Sequence, residues 1–181
     1  MERIAILDKK FSLGIPSGTI REKVDQLSAR LNKDLSGKEI FFIAVLNGSF
    51  IFAADLLRKI TLPCRISFVK LASYEGMDNS GGIRELIGIN EDLKDKTVVF
   101  IEDIVDSGNT LNALITEIGT MRPADMKVVA LLIKTEAYSY KHKIEYTGFR
   151  IPNRFVVGYG LDYNGYGRNL DAIYIENPGS A

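Results

Sequence analysis

Four short segments, three of them entirely apolar and one with two polar residues, constrain the fold of this chain more than any other feature. Between them, apolar residues recur at the spacing of amphipathic helices. A continuous apolar run of this length is typical of a strand that is covered on both faces, as strands are in parallel sheets. The four segments are residues 40–46, 66–71, 98–101 and 128–133.

Apolar strands that alternate with helices indicate βαβ units, which build a mostly parallel sheet. We therefore predict an α/β protein with a doubly wound sheet and helices on both of its faces. Residues 155–157 are predicted to be a fifth, short strand. Ligands of such sheets bind beyond the carboxyl ends of the strands, so the residues that follow each strand are candidates for function.

Length and composition predict a single domain over residues 1–181. The chain has 46% hydrophobic and 25% charged residues, an ordinary globular balance. Its 23 Lys and Arg residues match 23 Asp and Glu residues, and zero net charge argues against a nucleic-acid-binding protein. The longest apolar run is far shorter than the ~18 residues of a membrane span. A single cysteine allows no internal disulfide, which favours a cytoplasmic protein. Together with the net charge and the short apolar runs, this leads us to expect a protein that binds neither nucleic acid nor membrane.

Three acidic residues follow the third apolar segment. Glu102 and Asp103 end the predicted strand, and Asp106 comes three residues later. Carboxylates repel a phosphate at contact, so this set fits a hydroxylated or metal-bound group that lies beside a phosphate. A ribose diol and Mg²⁺ are such groups.

A small polar loop then enters a helix. The first N–H groups of a helix are unpaired and carry the positive end of the helix dipole, so they bind anions. Glycine allows the backbone to approach such an anion closely. We predict that the loop holds a monophosphate, although Asp106 and Ser107 would also suit simple helix caps. The loop residues are Ser107, Gly108, Asn109 and Thr110.

The segment from the strand through this loop resembles the phosphoribosyl-diphosphate signature of the type I phosphoribosyltransferases. Residues 46–49 resemble the diphosphate loop of that family. Ser73 and Tyr74 open a Gly-rich loop that resembles the lid of its 6-oxopurine enzymes. The resemblance runs from about residue 40 to residue 175. The parts that resemble the purine site of the hypoxanthine(-guanine) phosphoribosyltransferases are Lys134, residues 154–164 and Arg168.

The resemblance implies both a fold and a reaction. The fold would add a small hood, formed from N- and C-terminal segments, to the parallel sheet. The reaction would transfer 5-phosphoribose from phosphoribosyl diphosphate to N9 of hypoxanthine or guanine, giving IMP or GMP and diphosphate, with Mg²⁺ as cofactor. A homodimer or a homotetramer would fit the family equally well, and the preference among hypoxanthine, guanine and xanthine stays open.

Residue roles on the donor side follow from the same resemblance. Glu102 and Asp103 would hold the ribose hydroxyls and one Mg²⁺. Asp106 would act as the general base near the purine N7, while residues 106–110 hold the 5′-phosphate. A carboxylate pair beside the ribose also suits the positive charge that develops there.

Residue roles on the purine side come next. Lys134 would donate a hydrogen bond to O6, Phe155 would stack on the purine, and Val156 would offer backbone groups. Asp162 would bind a second Mg²⁺ and contact the C2 side. The residue types alone leave other roles open: Lys134 also suits a surface charge, Phe155 core packing and Asp162 a turn.

Asn47, Gly48 and Arg168 would bind the diphosphate. A guanidinium fork matches phosphate oxygens. Family members often carry Lys or Arg where this chain has Asn47, so a neutral side chain weakens any charge role there. By the same resemblance, the peptide bond between Leu46 and Asn47 is expected to be cis.

The lid implied by Ser73 and Tyr74 would close over the site. Its closure would exclude water, which could otherwise intercept the ribosyl cation. A disordered connector accounts for the same glycines.

Two further functions compete with the enzyme. One is a non-catalytic regulator that senses phosphoribosyl diphosphate on the same fold, and the other is a phospho-acceptor signalling domain. Zero net charge and the presence of Asp106, Lys134 and Asp162 favour the enzyme. His142 and the basic, aromatic residues 139–154 are predicted to be a solvated connection between two strands.

Overall fold

Ten strands and three helices form the part of the chain that the computed structural model describes, namely residues 2–73, 83–89, 91–140, 142–177 and 179. The helices are α1 (Ser17–Asp34), α2 (Phe50–Leu57) and α3 (Asn109–Gly119). The strands are β1 (Arg3–Ile6), β2 (Lys9–Ile15), β3 (Ile40–Leu46), β4 (Cys64–Ser73), β5 (Ile83–Ile87), β6 (Thr97–Val105), β7 (Asp125–Lys134), β8 (Tyr146–Ile151), β9 (Val156–Val157) and β10 (Ile173–Glu176).

The main sheet has six strands in the order β5-β4-β3-β6-β7-β8. Five of them are parallel, and β5 pairs antiparallel with β4 at one edge. The four apolar segments of the sequence lie in β4, β3, β6 and β7, next to one another. The prediction of a mostly parallel sheet is therefore confirmed.

Helices cover both faces of this sheet, as predicted. Alternate residues of a strand point to opposite faces. Phe42 and Ala44 of β3 accordingly pack in one core cluster with α1 and α2. Phe41 and Ile43 pack in a second cluster with α3. Among the described residues, no helix is long and apolar enough to cross a membrane.

A four-stranded antiparallel sheet of order β1-β2-β10-β9 forms the hood. It joins the two ends of the chain, because Ser12 of β2 lies opposite Ile175 of β10. The hood predicted from N- and C-terminal segments is therefore confirmed.

The fifth parallel strand is not where the sequence pattern placed it. Residues 156–157 pair with β10 in the hood, whereas the fifth parallel strand is β8, inside the segment predicted to be a solvated connection. β8 is an edge strand with a partly exposed middle, so it has no continuous apolar run. Its pattern was therefore not that of an interior strand.

The register of the parallel strands brings two candidate site residues together at the carboxyl end of the sheet. Val105 of β6 lies opposite Ile133 of β7. The next residues along these two strands are Asp106 and Lys134. Parallel pairing therefore delivers a carboxylate and an ammonium to neighbouring positions at the carboxyl end of the sheet.

We expect Phe100→Ala to lower the free energy of unfolding by about 3–5 kcal/mol, because its fully buried ring packs in the α3 cluster. The matched control is Phe68→Ala, since that ring is 39% exposed and should cost about 1 kcal/mol or less. Urea denaturation measures both. Equal losses would contradict the core described here.

Candidate functional site

A cleft opens at the carboxyl edge of the main sheet. Its walls come from the ends of β3 and β6 and from the first turn of α3. The sheet order places β3 and β6 side by side, so their terminal residues converge as the sequence predicted. The lining residues are Val45, Leu46, Gly48 and residues 102–111.

The predicted phosphate loop forms one wall of this cleft. Gly108 caps α3 with a positive φ of 90°, a conformation that favours glycine. The N–H of Asn109 donates to Ser107 Oγ at 3.4 Å, so Ser107 partly caps the helix. Asp106 does not, because its carboxylate contacts Lys134. The helix start, including Thr110, lines the cleft, and the first backbone N–H groups of a helix have no partner within it.

Two acidic side chains at the end of β6 are almost fully buried. Glu102 is 5% exposed and Asp103 is 9% exposed. Desolvation raises the pKa of Glu102 well above its ordinary value, and the neighbouring Asp103 charge raises it further. Desolvation also raises the pKa of Asp103 to about 6, although hydrogen bonds from backbone N–H groups and the Arg168 charge oppose the shift.

The loop after β3 lies directly against Asp103. The peptide bond between Leu46 and Asn47 is cis, as the family resemblance predicted. A Cβ on Gly48 would lie 1.6 Å from Asp103 Oδ2, and a Cβ on Gly160 would lie 2.0 Å from the Gly48 carbonyl oxygen. Both glycines are therefore required for this loop to approach the carboxylate.

Arg168 and Asp162 form an ion pair beside this loop. Arg168 Nη2 lies 2.6 Å from Asp162 Oδ1, and Nη1 donates to the Gly160 carbonyl at 2.7 Å. The Gly165 N–H donates to Asp162 Oδ2 at 2.7 Å, so Asp162 also stabilises a turn. Both of its oxygens accept hydrogen bonds, and its role as a metal ligand stays a prediction.

Lys134 contacts Asp106, which lines the cleft. The Lys134 ammonium lies 2.5 Å from Asp106 Oδ2, and the lysine side chain is only 10% exposed. A nearly buried lysine that pairs with the carboxylate just before the phosphate loop is not a surface charge. The pair therefore places a cationic donor beside an anionic acceptor.

The hood supplies Phe155 and Val156. The Phe155 ring is 38% exposed and packs edge-on against Tyr163 with a centroid distance of 5.8 Å. Lys9 Nζ lies 5.0 Å from the Phe155 centroid and pairs with Glu176 at 2.8 Å. Phe155 is thus partly packed and partly available to a ligand. The approach of Lys9 was not predicted, because it depends on pairing between the two ends of the chain.

The predicted lid falls largely outside the described residues. Ser73 ends β4, and Tyr74 belongs to the part that the structure does not describe. The lid therefore stays a prediction.

One contact surface of the site was missed by sequence reasoning. Tyr138, Tyr140 and His142 lie against the phosphate loop and the start of α3. His142 is thus not a free surface residue, since its Nε2 lies 2.9 Å from Asn112 Oδ1. The only signal in the sequence was an aromatic cluster just after a strand that ends at the site.

The chain is similar to known proteins over nearly its whole length. The family described as the phosphoribosyl transferase domain matches residues 17–164. A hypoxanthine phosphoribosyltransferase of Salmonella typhimurium is 36% identical over 163 residues, which cover 88% of this chain and 91% of the relative. The hypoxanthine-guanine phosphoribosyltransferase of Homo sapiens is 34% identical over 171 residues, covering 89% and 78%. A crystal structure of a hypoxanthine-guanine phosphoribosyltransferase from Bacillus anthracis superposes with a TM-score of 0.85 at 38% identity, covering 92% of this chain and 96% of that one.

The raised pKa of Asp103 predicts a pH-dependent stability. The carboxyl group has a pKa of about 6 in the folded protein and about 4 when unfolded, so the folded state binds its proton more tightly. Below pH 4, where the group is protonated in both states, this difference contributes fully to the free energy of unfolding. This contribution is lost as the pH rises to 6 and amounts to about 3 kcal/mol. Asp103→Asn should therefore raise the free energy of unfolding at pH 7 and make its pH profile shallower. Urea denaturation from pH 4 to 7 with a chelator present measures this, and superimposable profiles would contradict it.

Proposed function

Because the chain belongs to the phosphoribosyltransferase family, we propose that it transfers 5-phosphoribose from phosphoribosyl diphosphate to N9 of hypoxanthine and of guanine. The products are IMP or GMP and diphosphate, so the reaction salvages free purine bases. The sheet, the hood and the cleft are all consistent with such an enzyme.

The contact between Lys134 and Asp106 carries this proposal. A 6-oxopurine presents the acceptor O6 and the donor N7–H side by side. The Lys134 ammonium and the Asp106 carboxylate, 2.5 Å apart, offer the complementary donor and acceptor. A 6-aminopurine would place a donor against the ammonium, so the same pair disfavours adenine.

The chemical step uses the acidic end of β6. The C1–O bond of the donor breaks as diphosphate leaves, positive charge develops on the ribose, and N9 attacks C1. Asp106 accepts the proton from N7. Glu102 and Asp103 hold the ribose hydroxyls, and their carboxylates stabilise the developing charge.

Other residues bind the phosphate groups. The 5′-phosphate lies against residues 106–110, where the α3 dipole and backbone N–H groups favour an anion. Asn47 and Gly48 bind the diphosphate through the cis-peptide loop. Arg168 contributes its guanidinium, which Asp162 and the Gly160 carbonyl hold in place.

The hood binds the purine ring. The exposed part of Phe155 stacks on the base, and Val156 offers backbone groups at its C2 side. Asp162 lies near that side as well. Ser73 and Tyr74 close the lid and exclude water.

Mg²⁺ is the cofactor of the proposed reaction. Mg²⁺ is usually bound by one or two carboxylates together with substrate phosphates rather than by a cage of protein ligands. Glu102 and Asp103 fit this, because they are two adjacent, nearly buried carboxylates. Among the described residues, no group of three or more acidic, histidine or cysteine side chains could hold a metal. When bound, the ion offsets the charge of the diphosphate, and Asp162 is a candidate ligand for a second ion.

Two further properties belong to the same proposal. We place the protein in the cytoplasm as a homodimer or homotetramer. Relatives of this chain are named hypoxanthine phosphoribosyltransferase and hypoxanthine-guanine phosphoribosyltransferase, which favours catalysis over a regulator that only senses the donor.

A product assay tests the proposed function. The protein is incubated with phosphoribosyl diphosphate, Mg²⁺ and one of hypoxanthine, guanine, xanthine or adenine, and nucleotide formation is followed by chromatography. We expect product with hypoxanthine and guanine and little with adenine. The absence of product with every 6-oxopurine would overturn the function, and equal rates with adenine would overturn the role of Lys134.

Asp106→Asn should lower kcat by about 10²–10⁴-fold, because the amide cannot accept the N7 proton. Donor binding should change little, since the backbone N–H groups of the loop remain. Steady-state kinetics and donor titration separate the two effects. The control is the exposed Asp171→Asn, and equal losses of donor affinity and turnover in Asp106→Asn would refute the base assignment.

Lys134→Met should lower kcat/KM for hypoxanthine by about 10–100-fold, the scale of one lost charged hydrogen bond. The preference for hypoxanthine over adenine should narrow in parallel. Lys127→Met is the matched control, because Lys127 lies on the same strand and pairs with Asp125 at its opposite end. An unchanged preference for hypoxanthine over adenine in Lys134→Met would contradict the proposed hydrogen bond from Lys134 to O6.

A further inference from the structure

The segment that follows β7 contacts the phosphate loop from outside the cleft. We call residues 135–142 the strap; the structure describes all of them except residue 141. None of the described strap residues lines the cleft. We propose that the strap is a positioning element that fixes the phosphate loop in its anion-binding conformation, with Tyr140 and Tyr138 as its main contacts. This inference rests on the proposed function only in taking the loop to bind a phosphate.

Hydrogen bonds join the strap to three consecutive parts of the loop and helix. Tyr140 Oη donates to Asn109 Oδ1 at 2.7 Å. The backbone N–H of Ser139 donates to the Ser107 carbonyl at 3.2 Å. His142 Nε2 lies 2.9 Å from Asn112 Oδ1, in the first turn of α3. The strap thus holds the loop before, at and after the helix start.

Ring packing explains why the loop glycine is confined. A Cβ on Gly108 would lie 2.5 Å from Tyr138 Cε2 and 2.9 Å from Tyr140 Cδ2. Both rings therefore rest on the Cα of the residue that caps α3. Tyr138 is itself fixed, since its hydroxyl donates to the His142 carbonyl at 2.7 Å.

The strap also links the two halves of the proposed substrate site. Its first turn is closed by the N–H groups of Ala137 and Tyr138, which both donate to the Lys134 carbonyl at 3.1 Å. Lys134 in turn contacts Asp106, the residue that directly precedes the phosphate loop. One continuous segment therefore carries the purine donor and supports the phosphate loop.

A binding experiment that does not require turnover tests the strap. Ribose 5-phosphate is titrated into wild type and Tyr140→Phe by calorimetry; this variant keeps the ring on Gly108 and removes only the hydroxyl. We expect the Kd to rise about five-fold, the scale of one hydrogen bond. Tyr138→Leu should raise it further. Steady-state kinetics should show a matching rise in the donor KM, with the hypoxanthine KM and kcat within about two-fold of wild type.

A double-mutant cycle separates positioning from general stability. If Tyr140 acts through Asn109, adding Tyr140→Phe to Asn109→Ala should change the Kd by less than about two-fold. Tyr146→Phe is the matched control, because the Tyr146 hydroxyl donates a hydrogen bond of 3.2 Å to Asp34, far from the phosphate loop in the sequence. This variant should leave the Kd for ribose 5-phosphate unchanged while lowering the Tm.

Either of two results would overturn the strap. One is an unchanged Kd in Tyr140→Phe, and the other is the same five-fold loss with and without Asn109. Where Tyr138→Leu fails to fold, the Tyr140→Phe arms decide alone. A protein that binds ribose 5-phosphate in this strap-dependent way but forms no nucleotide would refute the proposed enzyme and leave the strap intact.

Discussion

The burial of two adjacent carboxylates at the end of a central strand is the constraint around which this site is built. Desolvation works against the charged forms of Glu102 and Asp103, so their surroundings must compensate. Backbone N–H groups and the Arg168 guanidinium do so on the side of Asp103. Gly48 and Gly160 allow the cis-peptide loop to pack there, since a side chain at either position would collide. In the proposed function, a hydroxylated substrate that brings a cation would complete this compensation.

The interior of the fold was predictable because its strands are covered on both faces. β3, β6 and β7 carry continuous apolar runs, and such runs are typical of strands that are buried on both faces of a parallel sheet. The hood strands gave no local pattern of this kind, since β2 pairs with β10 across almost the whole chain. β8 was missed for a related reason: as an edge strand it keeps a partly exposed middle.

The same distinction applies to the site. Residues 102–110 are contiguous, so the sequence alone brought the acids and the phosphate loop together. The parallel register brings Lys134 beside Asp106, and its role as the O6 donor stays a prediction. The contacts of the strap could not be predicted from the sequence, because their partners are far apart along the chain. Tyr140 bonds Asn109, 31 positions away, and His142 contacts Asn112, 30 positions away. Only the return of the chain after β7 makes those contacts visible.

A crystal structure of the protein with IMP and Mg²⁺ is the most direct test of the central claim. That claim is that the carboxyl end of the sheet binds a 6-oxopurine and a ribose phosphate side by side. The 5′-phosphate should lie against residues 106–110, with O6 within hydrogen-bond distance of Lys134 Nζ and the base stacked on Phe155. A nucleotide bound with its base turned away from Lys134, or with its phosphate outside the loop, would contradict the claim.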